Sequence, residues 1–501
     1  MTHPYNNHRT DAPRTAGQGR VVVIGAGFAG LLAATVLSRH AAEVVVLERD
    51  RLPDGPRPRS GLPQAHHGHL LMAAGAAALD DLLPGLTDSL AAAGARRLAM
   101  PDDVLTLTPH GWLPRTGEAS HGWSLSRDLL DWTLRRRVAA DAAIRLRPGL
   151  RVDGLRGDGH RVTGVQVRGH GAPDGGTIRA DLVVDATGRG SRAAHWLTAL
   201  GLPQVAEETV DSGLVYATLP VRAPVADFPA VAIQPVPGTG PGRAGVVFPI
   251  EDGQWLVTLS ATRGRAAPAD LAEFRAFARG LPHPVIADLL AAARPLGEVR
   301  RFGNTADRRL RYDRLRGWPR GFVVVGDAVA RTNPAYGHGM SVAATGLQSL
   351  ARLLERDGAD PGTLGGEAQR ALLRSTRAAW TLATAQDIHV PDVRGALPTR
   401  ADRLSARLAD RLLATAARAD GGGGAADGVL AALIRLGTLE GGPGELAGPL
   451  LRTLLPGRGP AARPPRHPGP APAGPPGEPP LTERELCSLG PGFRPSWRLV
   501  S

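Results

Sequence analysis

The chain has 501 residues, 59 cationic and 47 acidic side chains and a formal charge of +12. Every cationic side chain is an arginine and lysine is absent; the arginines are scattered without interleaved aromatics, which argues against the compact basic patch of a nucleic-acid binder. A single cysteine, Cys487, excludes an intrachain disulfide framework and a multi-cysteine zinc site and fits a reducing compartment, while the length allows two or three domains or one large two-part enzyme.

Residues 1–18 are polar and aperiodic, so they read as disordered, and they lack the apolar stretch of a secretory signal; a cytoplasmic location is expected. Val21–Gly25 reads as a buried parallel strand, Ala29–Arg39 as a helix and Val44–Leu47 as a second buried strand. The glycines of this region explain it better than a membrane span does, and no transmembrane segment is expected. Residues 53–69, rich in Pro, Gly and His, form a loop; Leu70–Leu83 and Leu129–Ala140 read as helices. From Val162 the pattern alternates in short runs, and residues 211–260 read as an antiparallel sheet. Helices return over Leu271–Ala292, followed by a third buried strand, Phe322–Val325, and helices over Met340–Glu355 and Ala368–Gln386. Asp402–Arg418 is an Arg-rich amphipathic helix, Gly421–Gly424 a glycine run, Val429–Leu455 helical again, and Pro460–Pro480 an extended mobile linker. The expected class is α/β: a Rossmann-like domain (19–205 and 300–395), an α+β substrate part with an antiparallel sheet (206–299), C-terminal helices (396–456), and a Pro-rich linker and tail (457–501).

Gly25, Gly27 and Gly30 form G-x-G-x-x-G between a strand and a helix, with Phe28 and Ala29 between the last two glycines, and Glu48-Arg49 closes the next strand about 20 residues on. Gly25 suits the tight turn, Gly27 the approach of a pyrophosphate, Gly30 the packing of helix on strand; the helix N-terminus faces the phosphates and Glu48 can accept from a ribose. The motif does not by itself separate NAD from FAD. Far downstream a valine strand ends in Gly326-Asp327, followed by the loop Asn333–Ser341 containing Pro334, Gly337, Gly339 and Met340. Asp327 is either a helix N-cap or a ligand-holding carboxylate.

The second motif resembles the Gly-Asp of aromatic-hydroxylase-type flavoproteins. That resemblance implies that Asp327 accepts from the ribityl hydroxyls of FAD, that Pro334, Gly337 and Gly339 lie beside the isoalloxazine, and that the helix beginning near Gly339-Met340 stabilises negative charge on the reduced ring. DLVVDATGRGSR (181–192) is similar to the mid-chain turn of the same proteins, and SRDLL (126–130) to the segment whose arginine, here Arg127, approaches FAD. From about Arg20 to Val390 the chain resembles the bacterial FAD-dependent epoxidases of polyether biosynthesis, on GLPQAHHGHLL (61–71), LLPGLTDSLAAAGA (82–95), SLSRDLLDWTLR (124–135), VDSGLVYATLPVR (210–222), PIEDGQWLVTLSATRG (249–264) and VVVGDAVARTNPAYGHGMSVAA (323–344). The last hundred residues match poorly.

This likeness implies an FAD monooxygenase with O2 as co-substrate and NADPH or a separate flavin reductase as electron source. It implies no catalytic side chain, because a flavin C4a-hydroperoxide transfers oxygen to an alkene of a linear polyene polyketide, free or carrier-bound. Leu214, Tyr216, Phe248 and Trp255 are the candidate walls of the substrate pocket, each also able to be ordinary core. For Gln64, His66, His67 and His69, structural hydrogen bonding is the first reading, flavin contact the second and a metal site the third, since no carboxylate or helical ligand spacing accompanies them. Aromatic hydroxylation is the runner-up activity and a flavin-linked reductase or dehydrogenase the third. Halogenation is disfavoured by the missing lysine, and a second dinucleotide site by the proline in GTGPGRAG (238–245).

Overall fold

Four short apolar runs, buried on both faces, and one part-exposed edge strand pair as a parallel sheet in the computed structural model. It describes residues 19–446, 448, 477–489, 493 and 495–498, apart from 170–171, 223–224, 226–227, 236–241 and 358–359. Residues 1–18, most of the Pro-rich linker and the first half of GTGPGRAG lie outside the described residues. The strand order is Phe322–Val324, Leu182–Asp185, Arg20–Ile24, Glu43–Glu48, Ile144–Pro148, every neighbour parallel. Valine dominates because both faces are covered. The helices Phe28–Leu37, Arg127–Ala139 and Gly339–Asp357 contribute to the core on one face, and a three-stranded antiparallel layer (Leu150–Gly157, Val162–Gly169, Ala172–Arg179) with the helix Ala193–Ala199 covers the other.

Ile24, Leu47, Asp185 and Val324 share one row of that sheet. The hydrogen bonds continue past it: Gly25 N donates to Leu47 O (2.7 Å), Ala186 N to Ile24 O (2.9 Å) and Val325 N to Asp185 O (3.0 Å). The carboxyl ends of the strands therefore open together, where ligands of doubly wound sheets bind.

The second large sheet has eight strands. Arg294–Pro295 and Arg300–Phe302 flank Val215–Arg222, followed by Gln254–Ala261, Arg243–Ile250, Ala230–Ile233, Val104–Thr108 and Gly111–Trp112. It is antiparallel except where Ala230–Ile233 runs parallel to Val104–Thr108, so it recruits strands from well outside 206–299. Its back packs against the helices Leu271–Arg279 and Val285–Ala292 around a fully buried Phe274. Ser124 Oγ donates to Pro249 O (2.6 Å) and Ser126 N to Glu251 Oε2 (3.0 Å), which fastens this sheet to the start of the Arg127 helix.

Three expectations change. His69–Met72 is a strand paired with Ser120–Leu125, and the helix begins only at Ala73; cross-strand pairing overrides helical propensity there. Ala368–Gln386 is two helices, broken at Thr376, whereas Leu271–Ala292 holds helices as expected, Leu271–Arg279 and Val285–Ala292. The helix expected over Val429–Leu455 runs from Ala425 to Gly437 and stops where Leu439 takes a positive φ of 63° before Gly441, Gly442 and Pro443; residues 447 and 449–455 lie outside the described residues. The tail beyond the linker packs on the body. Glu485 forms a two-pronged pair with Arg115 (2.6 and 2.9 Å), and Leu489 joins the core behind the eight-stranded sheet.

A side chain on Gly30 would drive its Cβ into the Gly25 carbonyl, whereas one on Gly154 meets nothing within 4 Å. Gly30→Val is therefore expected to cost at least about 1–3 kcal/mol and to lower the melting temperature, while Gly154→Ala stays within about 0.5 kcal/mol. Thermal denaturation of both variants checks this, and equal melting temperatures would contradict the packing assigned to Gly30.

Candidate active site

The first strand ends in a turn that only glycine fits: Gly25 has φ 103°, and a Cβ there would sit 2.8 Å from Ala186 O. Gly27 precedes the helix Phe28–Leu37 with no side chain capping it, and the only atom near a Cβ built on it is Arg59 Nη2 at 4.0 Å. The helix N-terminus thus has open space in front of it and a guanidinium beside that space, the arrangement an anionic group needs.

Glu48 lies beneath this turn and is 8% exposed. Its Oε2 accepts from Ala26 N (2.8 Å) and Arg59 Nη1 (3.3 Å), and its Oε1 from Asp50 N (3.0 Å). Arg59 also donates to Ala26 O (3.0 Å) and Asp131 Oδ1 (3.3 Å), and Asp131 holds Arg135 (3.0 Å). Arg59 falls in the stretch read only as a loop, and no local pattern marks it. Arg49 pairs with Asp50 (3.8 Å) and keeps a largely exposed side chain at the cavity edge.

Arg127 is 8% exposed, 5.4 Å from the Phe28 ring centroid, and its Nε has no partner. Ser126 caps its helix by accepting from Leu129 N (3.1 Å), which aims Arg127 into the cleft. Burial holds the guanidinium below its usual pKa, opposed by Asp131.

At the mid-chain turn the buried Asp185 accepts from Thr187 N (2.9 Å) and Oγ1 (2.5 Å) and from Ser191 Oγ (2.6 Å). That network shapes the Gly188–Gly190 turn and presents Arg189, which lies 3.6 Å from Asp327 Oδ2 and 5.2 Å from the Phe302 ring centroid. Arg189 is the second cleft arginine that sequence reasoning missed.

Asp327 caps no helix. Among the described residues its one partner is Arg189, and its carboxylate is one-third exposed into the cleft. Gly326 (φ 62°) brings this turn against Ala29, and Gly337 (φ 69°) closes the Pro334–Tyr336 turn over Met72. The plain N-cap alternative is thus removed.

His67 and His69 make structural hydrogen bonds, His67 Nδ1 to Thr218 Oγ1 (2.8 Å) and His69 Nε2 to Gln64 O (2.9 Å), and both also face the cleft. Burial lowers them to about 4 and about 3, so both are neutral at neutral pH. Among the described residues no group of three His, Cys, Asp or Glu is arranged to hold a metal.

A polar knot supports the Asn333–Ser341 loop. Asn333 N donates to Asp307 Oδ1 (2.7 Å) and its Nδ2 to Asp387 Oδ2 (2.8 Å); Ser212 Oγ (3.0 Å) and Tyr336 OH (2.6 Å) also donate to Asp387. Asp307 is fully buried and its Oδ2 lacks a partner. Burial, then the neighbouring Asp387, pushes it up to about 8, so this carboxyl pair carries a proton at neutral pH.

All these groups surround one cavity of about 2040 Å³. It is lined by Gly25, Gly27, Phe28, Ala29, Glu48, Arg49, Arg127, Gly326, Asp327, Pro334, Gly337, Gly339 and Met340, every candidate cofactor residue except Gly30, which packs helix on strand. Leu214, Tyr216 and Phe248 line it too. Trp255 does not: it is 2% exposed and packs near Phe228 (6.1 Å) behind the sheet, because alternation turns it to the other face. The C-terminal helices Arg400–Ala416 and Ala425–Gly437 close another side with Leu413, Leu433 and Ile434, and are tied in by His338 Nε2 to Gly437 O (3.0 Å) and Ser120 Oγ to Thr438 Oγ1 (2.9 Å).

A parallel-sheet cleft with a bare helix N-terminus, an Asp that caps no helix at a second strand end and cleft arginines whose Nε atoms lack hydrogen-bond partners defines a flavin-type dinucleotide fold. The family described as FAD binding domain matches residues 18–379, and the chain belongs to it. Protein Rv3254 of Mycobacterium tuberculosis is 37% identical over 383 residues, 73% of this chain and 80% of that protein. The 6-methylpretetramide 4-monooxygenase of Streptomyces rimosus is 30% identical over 220 residues, 43% of this chain and 49% of that protein. The crystal structure of pqsL, a probable FAD-dependent monooxygenase from Pseudomonas aeruginosa, shares the fold with a TM-score of 0.56 at 18% identity, covering 79% of this chain and 100% of that one.

Two measurements follow. Asp327→Ala removes the cleft carboxylate and is expected to weaken FAD binding by about 1.5–3 kcal/mol, tenfold to a hundredfold, in flavin-fluorescence titration of the apoprotein; an unchanged Kd contradicts the role. For Asp307 the folded chain keeps a proton between about pH 4 and pH 8 that the unfolded carboxyl releases, so stability falls as pH rises through that window. Asp307→Asn mimics the protonated group, and its melting temperature should fall less between about pH 5 and pH 8 than the parent's. Equal slopes would contradict a proton on the pair.

Proposed function

We propose that the protein is an FAD-dependent monooxygenase that epoxidises alkenes of a large apolar substrate, a linear polyene polyketide. The observation that carries the reading is the size and lining of the cavity. Its volume of about 2040 Å³ exceeds the roughly 300–1,000 Å³ of a single-ligand pocket, so a dinucleotide leaves ample room for a second molecule. That room has apolar walls, including Leu113, Val246, Phe248, Leu413, Leu433 and Ile434.

The residues fit FAD. The pyrophosphate would lie before Gly27 and Phe28 with Arg59 and Arg127 supplying positive charge, the ribose near Glu48, the ribityl chain at Asp327, and the ring at the Pro334–Met340 loop and helix start. Bound and reduced by NADPH or a flavin reductase, FAD supplies the activation of O2, with one atom entering product and the other leaving as water. The chain's own contribution is positional: His67 and His69 stay neutral, and the Asp387 knot holds the loop through Asn333 and Tyr336. Aromatic hydroxylation of a polyketide is the second reading, favoured by the likeness to the 6-methylpretetramide 4-monooxygenase of Streptomyces rimosus.

The test is turnover of FAD-loaded protein with NADPH, a flavin reductase and isotopically heavy O2, offered a linear polyene or a phenolic polyketide. One heavy oxygen per consumed alkene, in a product that acid opens to a diol, is expected. Heavy oxygen on the phenol with the polyene untouched selects the hydroxylase. Reduced flavin oxidised without any oxygenated product contradicts both.

A further inference from the structure

Among the described residues four large apolar side chains are exposed, and three of them cluster: Leu397 (79%), Leu404 (68%) and Leu408 (43%). They precede or lie on the helix Arg400–Ala416, whose start is fixed by the Thr399–Asp402 capping box. Leu404 and Leu408 stand one turn apart, and Arg400, Arg407 and Arg411 share their side of the helix at the 3.6-residue period, with Arg403 at its margin. All four arginines are exposed, and none forms an ion pair or side-chain hydrogen bond among the described residues. The helix's own acids are already engaged, Asp402 in the cap and Asp410 with His110 (2.7 Å). The opposite side of the same helix, through Ala406, Ala409 and Leu413, lines the cavity.

We propose that the outer face of this helix docks the protein on an anionic lipid surface and places the cavity beside the bilayer from which an apolar substrate partitions. A row of exposed, unpaired cations is complementary to an anionic surface, and the exposed leucines beside it suit insertion among acyl chains. No described helix is long and apolar enough to cross a membrane, so the contact is interfacial. The surface serves the proposed oxygenase reading by shortening the path of an insoluble substrate, but its binding is measured without turnover, so the two fail separately.

The experiment is sedimentation of the full-length, FAD-loaded protein with vesicles of phosphatidylcholine alone or mixed with phosphatidylglycerol. The protein is expected to bind the mixed vesicles, to bind the neutral ones far less, and to be released by salt. L404S/L408S and R403Q/R407Q, which touch outward positions, are each expected to lower partitioning at least about tenfold with flavin content and circular dichroism unchanged. Equal binding to neutral and anionic vesicles, no binding to either, or undiminished binding by L404S/L408S overturns the proposal. So does light scattering that shows a parent dimer turned monomeric by L404S/L408S, which would assign the face to a second copy of the chain.

Discussion

Parallel pairing of the first strand with neighbours drawn from residues 43–48 and 182–185, and through them from 322–324, is the constraint on which everything else depends. Ile24, Leu47, Asp185 and Val324 reach the sheet edge in one row, so the segments that follow them must emerge side by side. Gly25, Glu48, Thr187 and Asp327 are scattered over three hundred residues of sequence yet surround one cleft for this reason alone. The glycines make the row usable: a side chain at Gly25 would strike the Ala186 carbonyl, and the helix could not approach the strand at Gly30.

The cleft is electrostatically one-sided. Arg59, Arg127 and Arg189 converge on it and each has a buried Nε without a hydrogen-bond partner, that of Arg189 facing Asp327 at 3.6 Å, while Asp185, Asp131 and Glu48 are consumed by internal hydrogen bonds. Such a cradle is costly unless an anion completes it. Away from the arginines the cavity turns apolar. Two elements outside the dinucleotide fold create that change: the eight-stranded sheet and the C-terminal helix pair. Because Gly437 O meets His338 of the Asn333–Ser341 loop, the helix pair is structurally continuous with the site rather than an appendage to it.

What was legible in the sequence was what local backbone geometry demands. The fingerprint glycines, Glu48, the Asp-Ala-Thr-Gly turn and Gly326-Asp327 each sit within a few residues of a buried strand end, and the family likeness read them together. The groups that hold these motifs in place were not legible, because their partners are distant in the chain. Arg59 meets Asp131 72 residues on, and Ser212 meets Asp387 175 residues on. Alternation identified the sheet but not its inner face: Phe248 points into the cavity and Trp255 away from it, a choice made by cross-strand register. The strand His69–Met72 was hidden under alanine-rich helical composition, since its pairing with Ser120–Leu125 is a tertiary fact.

The central claim is that one cleft holds FAD along its polar wall and leaves the apolar remainder for substrate. A crystal structure of the protein grown with FAD tests it most directly. The account predicts pyrophosphate density before Gly27 within reach of Arg59 or Arg127, ribityl oxygens within hydrogen-bond distance of Asp327, and the ring against the loop from Pro334 to Gly339. Flavin density away from Asp327, or a ring lying in the chamber between Phe248 and the C-terminal helices, would contradict it.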